Sequence, residues 1–153
     1  MQGSDGDFYG TTDKGGSKGD GVIFKITANG TFTVPHSFCS QKACTDGLNP
    51  FAGLIQGTDG NIYGTTQGGG AHDDGEIFEI TPDNTFTILY SFCSQSGCLD
   101  GEFPQTGIIQ GVDGNFYGTA LLGGKWQRDD LQDHSDRRHL HQALRRLLSE
   151  RMP

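Results

Sequence analysis

The sequence predicts an all-β fold made of tandem four-stranded units. Three observations carry this prediction: a repeat of 54 residues, alternating side-chain character within each repeat, and no helical spacing of apolar residues before residue 124. Four antiparallel strands that recur every roughly 40–55 residues are typical of a β-propeller blade. A propeller is therefore expected, and a β-sandwich or stacked sheets are the competing architectures.

The repeat keeps its register along the chain. The segment "GSDGDFYGTT" begins at Gly3, "GTDGNIYGTT" at Gly57 and "GVDGNFYGTA" at Gly111, an offset of 54 each time. The predicted units are a partial first repeat (1–48), a complete second repeat (49–102) and a partial third repeat (103–124), followed by a tail (125–153).

The second repeat justifies each strand in order. "PFAGLIQ" from Pro50 is a compact apolar run that predicts an inner strand, and "TDGN" predicts a tight hairpin because Asp-Gly favours positive φ. "NIYGTT" from Asn61 is the second strand, ended by the glycine-rich and flexible connection "QGGGAHDDG". "EIFEIT" from Glu76 alternates as a third strand. "TFTILYSF" from Thr85 is a fourth strand, rich in β-branched and aromatic residues.

These residues resemble a known family. The pattern "DGNxYGTTxxGG…GxIFxITPxxTFTxLYSF" is similar to the gloVer tandem repeat, found in large exported bacterial proteins that often carry a surface-anchoring tail. The resemblance covers residues 1–124. It implies a secreted, propeller-like repeat protein and supplies no catalytic, cofactor-binding or metal-binding residues, so none is assigned.

Charge and hydropathy exclude several classes of partner. Residues 1–124 hold four lysines against fourteen aspartates and glutamates, a net charge of −10. This acidic body argues against nucleic acid and against an anionic membrane surface as partners. No run of about 18 apolar residues predicts a membrane span, and no signal segment precedes the first repeat. Met1-Gln2 stands where Ile55-Gln56 stands in the second repeat, which predicts a truncation or a misassigned start inside an inner strand.

The tail has a different composition, and its codons suggest why. All six arginines lie after residue 124, whereas all 25 glycines and ten phenylalanines lie before residue 125. Back-translation from Trp126 with the first base dropped gives a string compatible with "GNEMIFKITP", and the true repeat reads "GEIFEITPDN" from Gly75. The tail is therefore interpreted as the third repeat read in the wrong frame, disordered or helical. The competing interpretation is a basic amphipathic helix with Leu140, Leu144, Leu147 and Leu148 on one face.

An off-frame tail cannot complete the third repeat. The segment lacks β-branched residues from Trp126 to Leu144, so it is not expected to pair as strands. Ile108 and Phe116 are then expected to be more exposed than Leu54 and Ile62, their counterparts in the second repeat.

The cysteines occur as a C-x4-C pair at the same place in two repeats, "CSQKAC" and "CSQSGC". One disulfide within each loop is expected, Cys39 with Cys44 and Cys93 with Cys98, as is natural for an exported protein. The alternative is a zinc site with four thiolates, which usually shows C-x2-C pairs. Equivalent points of neighbouring blades diverge, so the disulfides are preferred.

Other motifs have structural explanations. The "DG" turns and "HDDG" lack the alternating ligands and terminal Glu of an EF-hand, so turn chemistry explains them. "GGG" at Gly68 has no following Lys-Ser/Thr and is not a phosphate loop. His36 and His72 sit at non-equivalent positions, and no catalytic triad or carboxylate pair can be placed from spacing. Trp126 and the "HLH" tract belong to the tail and carry no expected function.

The predicted function is structural, adhesive or ligand-binding, in an exported or cell-surface repeat protein, and no enzyme activity is expected. Its expected partner is a ligand or surface polymer, and open strand edges predict self-association. The alternative is a propeller-type carbohydrate-active enzyme. An inward carboxylate at one repeat only would favour the enzyme, because catalysis breaks repeat symmetry. A third interpretation makes the tail a helical interaction module.

Overall fold

The computed structural model of the chain describes residues 1–123, and the regular structure in them is β-strand apart from one 3-10 turn at Lys42–Cys44. The strands are β1 (Phe8–Thr12), β2 (Val22–Ile26), β3 (Phe32–Ser37), β4 (Ile55–Gln56), β5 (Ile62–Thr66), β6 (Glu76–Ile80), β7 (Phe86–Ser91), β8 (Ile109–Gln110) and β9 (Phe116–Tyr117). The predicted all-β class is confirmed for this part of the chain.

Each repeat forms its own antiparallel sheet. The orders are β1-β2-β3, β4-β5-β6-β7 and β8-β9, so consecutive strands are neighbours throughout. The register of β5 on β6 pairs Gly64 with Phe78, and β1 on β2 pairs Gly10 with Phe24 in the same way. A Cβ added at Gly64 would lie 2.5 Å from Phe78 Cζ, so glycine there lets the ring lie across the neighbouring strand.

The inner strand is shorter than the sequence predicts. In the second repeat it comprises only Ile55–Gln56, and in the first repeat it is reduced to a single bridge between Gln2 and Phe8. The residues before β4 instead contact other strands and loops: Ala52 O accepts a hydrogen bond from Thr11 Oγ1, and Asn49 O accepts one from Gln67 N. This strand-forming segment is thus used for a contact between repeats at Ala52 and for a contact within the second repeat at Asn49. Within residues 1–123 the three sheets do not close into a barrel or a propeller.

The core lies between the sheets, in two clusters related by the repeat. We call one side of a repeat the tyrosine face; it carries Tyr9, Ile23 and Phe38 in the first repeat, Tyr63, Ile77 and Phe92 in the second, and Tyr117 among the described residues of the third. We call the opposite side the phenylalanine face; it carries Phe8, Phe24 and Phe32 in the first repeat, Ile62, Phe78 and Phe86 in the second, and Phe116 among the described residues of the third. The tyrosine face of the first repeat packs on the phenylalanine face of the second repeat. The tyrosine face of the second repeat packs on Ile108 and Phe116 of the third repeat.

The prediction that Ile108 and Phe116 are more exposed than Leu54 and Ile62 is wrong for Ile108, and Phe116 is buried just as Ile62 is. Ile108 and Phe116 are 2% and 5% exposed, against 8% and 4% for Leu54 and Ile62. The prediction assumed that a repeat buries these groups with its own outer strands. The structure covers them with the preceding repeat, and Phe116 packs against Tyr63 with ring centroids 4.4 Å apart. The predictions about residues 125–153 fall outside the described residues.

In the part of the chain that the structure describes, no helix has the length and hydropathy needed to cross a membrane.

Candidate functional site

The junction between two repeats is built from hydrogen bonds that recur at the repeat offset. Ser4 N donates to Gln56 Oε1 at 2.8 Å, and Thr58 N donates to Gln110 Oε1 at 2.9 Å. The remaining recurring pairs are Thr11 Oγ1 with Ala52 O, matched by Thr65 Oγ1 with Thr106 O, and Asn49 N with Asp20 O, matched by Phe103 N with Asp74 O. The two junctions therefore have the same geometry in their backbone contacts.

A cysteine loop closes the outer end of each junction. Asp46 organises the first loop, because its carboxylate accepts hydrogen bonds from Ser40 N, Ser40 Oγ and Gln41 N. Burial acts to raise the pKa of Asp46, but these hydrogen bonds hold it below the usual value for aspartate. Asp100 is held by the same bonds from Ser94 and Gln95 in the second loop.

The cysteines lie at disulfide distance within each loop. Cys39 is paired with Cys44 and Cys93 with Cys98, each across a sequence separation of five. Asp20 lies beside the first pair and Asp74 beside the second, with the candidate ligand atoms of each trio within 4.8 Å of one another. Among the described residues, neither trio combines cysteines from both loops, so the shared four-thiolate zinc site has no counterpart here.

The connection "GGG" is a packed contact rather than the flexible segment that its composition predicts. Gly68 and Leu48 exchange backbone hydrogen bonds, and Gly70 N donates to Cys44 O at 2.9 Å. All three glycines are buried. The loop of the second repeat thus seals the first junction against the cysteine loop of the first repeat.

Glu76 is buried inside this sealed junction. The side chain starts β6 and is fully excluded from solvent. Its Oε1 accepts a hydrogen bond from Ser91 Oγ at 3.1 Å, whereas Oε2 has no hydrogen-bond partner among the described residues. Burial raises the pKa of Glu76 to about 7, and the negative charge of Asp46 adds to the effect.

Two glycines make room for this carboxyl group. A Cβ at Gly47 would lie 2.9 Å from Glu76 Oε2 and 2.8 Å from Thr66 Oγ1, and one at Gly70 would lie 2.8 Å from Glu76 Oε1. Thr66 Oγ1 is itself buried without a hydrogen-bond partner within residues 1–123. The carboxyl group and the hydroxyl therefore face the same glycine.

His36 lies in the same junction. Its ring stacks on Phe86 with centroids 3.7 Å apart, and its Nε2 lies 3.3 Å from Asp46 Oδ2 without hydrogen-bond geometry. Burial lowers the pKa of His36, and Asp46 opposes that shift. The counterpart in the second repeat is Tyr90, whose hydroxyl donates directly to Asp100.

Chemically, this cluster holds a carboxyl group whose pKa is raised to about 7, next to an aspartate and an imidazole whose pKa is lowered by burial. A general acid or base must reach the proton of a substrate, and Glu76 is sealed away from solvent. The sequence reasoning missed Glu76. The available signal was a departure from the repeat, because the first repeat has Val22 at the equivalent position.

The remaining residues singled out from the sequence have structural roles. Asp5, Asp59 and Asp113 each accept a hydrogen bond from the tyrosine hydroxyl four residues later. His72 lies exposed in the loop after β5. The turn interpretation of the "DG" motifs agrees with positive φ at Gly6, Gly60 and Gly114.

Comparison with known proteins places this architecture in a family. A search of curated proteins finds no match. The family described as the Gloeobacter/Verrucomicrobia repeat matches residues 1–130, which is most of the chain. The recurring junctions, the 54-residue register and this match agree, and the chain belongs to the Gloeobacter/Verrucomicrobia repeat family.

Proposed function

We propose that the chain is a structural module of an exported repeat protein, whose propeller-like units stack through one recurring junction and hold exposed loops toward a ligand or surface polymer. The observation that carries this proposal is the recurrence of the junction. The same hydrogen bonds and the same apolar faces join the first repeat to the second and the second to the third.

The cysteine pairs support the exported location. Both pairs lie at disulfide distance, which is consistent with an oxidising compartment. A small disulfide at each outer loop fixes the segment that closes the junction. The module is thereby suited to an oxidising compartment in which no chaperone or reductant keeps it folded.

A test of the stacking role adds repeats to the chain. Chains carrying one or two extra copies of residues 49–102, inserted after residue 102, are expected to gain a similar free energy of unfolding with each copy, because each copy adds one unit and one junction. Urea unfolding measures this increment, and a shuffled copy of the same residues is the control. If the added repeats unfold separately, with no gain for the rest of the chain, the proposal is wrong.

The alternative, a carbohydrate-active enzyme, has one observation in its favour. Glu76 is an inward carboxyl group in the second repeat, where the first repeat has Val22, and burial raises its pKa to about 7. Reducing-end release from soluble β-glucans by the chain and by Glu76→Gln compares the two functions. A structural module gives no release that depends on Glu76, whereas release abolished by Glu76→Gln would establish the enzyme.

A further inference from the structure

The first repeat presents an apolar side that has no cover among the described residues. Phe8, Phe32 and Val34 are exposed there, and Phe32 reaches 58%. Their counterparts in the second repeat are Ile62, Phe86 and Ile88, which all pack in the core cluster of the first junction. The phenylalanine face of the first repeat therefore has the composition of a junction surface.

This face is already arranged as it is in a formed junction. Phe24 and Phe32 stack with ring centroids 5.9 Å apart, and the equivalent pair Phe78 and Phe86 lies at 5.5 Å. The formed junction differs from this face by a third aromatic ring that packs on the pair. Phe38 of the first repeat packs on both Phe78 and Phe86, whereas nothing within residues 1–123 packs in that way on Phe24 and Phe32.

The opposite end of the described chain carries part of the complementary surface. Ile109 is the counterpart of Ile55, which packs in the cluster of the second junction, yet Ile109 is 65% exposed. Tyr117, the counterpart of Tyr63, pairs with Ile109 in the sheet and so lies on the same face. Within residues 1–123 the third repeat has no counterparts of Ile77 and Phe92, so this end offers the Ile55 and Tyr63 part of the interface that the molecule forms twice internally.

We propose that a second copy of this chain docks head to tail, with the tyrosine face of its third repeat on the phenylalanine face of the first repeat. We choose a second copy as the partner because, in both internal junctions, a phenylalanine face packs on the tyrosine face of a neighbouring repeat. Burying a phenylalanine side chain contributes roughly 1.5–3 kcal/mol, so several such groups give the interface a substantial driving force. Because the two faces differ, the association is heterologous and adds copies in one direction.

The test measures oligomeric state with variants at both ends. The full chain is expected to show a sedimentation coefficient that rises with concentration. Phe32→Glu and Ile109→Glu are each expected to weaken this association more than about 100-fold, because each would bury an unpaired carboxylate. Phe51→Glu is the matched control, because Phe51 is 53% exposed and belongs to neither core cluster. Circular dichroism melts verify that the variants fold, and Val34→Glu replaces Phe32→Glu if that variant does not.

Mixing the two variants identifies the geometry. Each keeps one intact face, so an equimolar mixture of Phe32→Glu and Ile109→Glu is expected to form a dimer that does not grow further. A monomeric parent chain at every soluble concentration would overturn the proposal. It would also be overturned if Ile109→Glu alone still dimerised, which indicates two phenylalanine faces in contact, or if neither substitution affected association, which indicates pairing of strand edges. The repeat-addition experiment measures junctions within one chain. Its result does not depend on whether a second copy of the chain binds to this face.

Discussion

Glu76 shows how one residue gives a junction its own pH dependence. Its carboxyl group is fully buried, with one oxygen bonded to Ser91 and the other without a hydrogen-bond partner among the described residues. A carboxyl group with a pKa raised to about 7 in the folded chain binds a proton between about pH 4.5 and 7 that the unfolded chain releases. The stability that depends on Glu76 is thus present at acidic pH and is lost as the pH rises through this window.

We expect Glu76→Gln to stabilise the chain at about pH 8 by up to about 3 kcal/mol and to have little effect at about pH 4.5, where the parent residue is protonated in the folded state. Urea unfolding across this range measures the difference between the two chains. Asp46 and His36 face the same junction in both chains, so the difference reports Glu76 together with its electrostatic coupling to Asp46. Glu76→Val, which copies Val22 of the first repeat, is expected to remove the same pH dependence. Parallel stability curves for the parent and Glu76→Gln would contradict the assignment.

Alanine substitutions at Gly47 and Gly60 distinguish the effect of backbone strain from the effect of steric crowding. Gly47 has φ +82° and a Cβ there would meet Glu76 and Thr66, whereas Gly60 has φ +87° and open space around it. We expect Gly47→Ala to lower the free energy of unfolding by about 2 kcal/mol more than Gly60→Ala, because both carry the strain of positive φ and only the first adds a clash. Equal effects in denaturant unfolding would show that the carboxyl group moves freely.

The cysteine loop connects two neighbouring repeats. Asp46 holds the loop by accepting a hydrogen bond from Ser40 N, and Leu48 exchanges backbone hydrogen bonds with Gly68 in the glycine loop of the next repeat. The segment between the paired cysteines has positive φ at Cys39, Ala43 and Cys44. A disulfide between Cys39 and Cys44 would hold conformations that these residues alone disfavour.

Oxidation of the loops is testable by peptide mapping, which we expect to find Cys39 linked to Cys44 and Cys93 linked to Cys98. The double substitution Cys39→Ser with Cys44→Ser is expected to cost about 2 kcal/mol of stability, the loop-closure entropy of so short a crosslink. The equivalent change at Cys93 and Cys98 serves as the comparison, because both loops share one geometry. A Cys39–Cys93 link or stoichiometric zinc in the oxidised chain would refute this pairing.

The sequence predicts strands well where the alternation of side chains decides them. It predicts them less well where contacts with other strands and loops decide. The alternation from Glu76 to Ile80 and the β-branched run from Phe86 to Ser91 become strands as predicted. The inner run from Pro50 does not, because its backbone bonds partly to residues of other strands and loops. The burial of Phe116 and the sealing of Glu76 were likewise invisible in the sequence, since both are set by how repeats stack.

Residues 1–123 form a short array of three sheets. Within these residues the third sheet consists of β8 and β9, and β9 has no counterpart of the neighbour that β5 has in β6. Arrays of few repeats have few stabilising interfaces, and open edges pair with other chains. We expect the chain to melt at a temperature that depends on its concentration. A sharp, concentration-independent transition of a monomer would count against this.

Extending the third sheet should stabilise the array. Replacing residues 125–153 by a copy of residues 71–102 supplies a third and a fourth strand in register, because Gly124 is the counterpart of Gly70. We expect the melting temperature to rise by about 5 °C or more, as added strand pairing and packing are worth at least about 1–2 kcal/mol. The control carries the same residues in shuffled order. No gain over that control would show that the third repeat needs no partner strands.

The recurring junction has a consequence for how genes of this kind can change. Since both halves of the interface sit at fixed positions in every 54-residue unit, recombination that duplicates or deletes one whole unit rejoins surfaces that already match. Copy number can therefore drift between generations without compensating substitutions. An insertion within a strand has no such freedom, since it turns the following side chains of that strand to the other face of the sheet. Gain or loss of a whole unit therefore keeps both junction faces, whereas an insertion within a strand disrupts one.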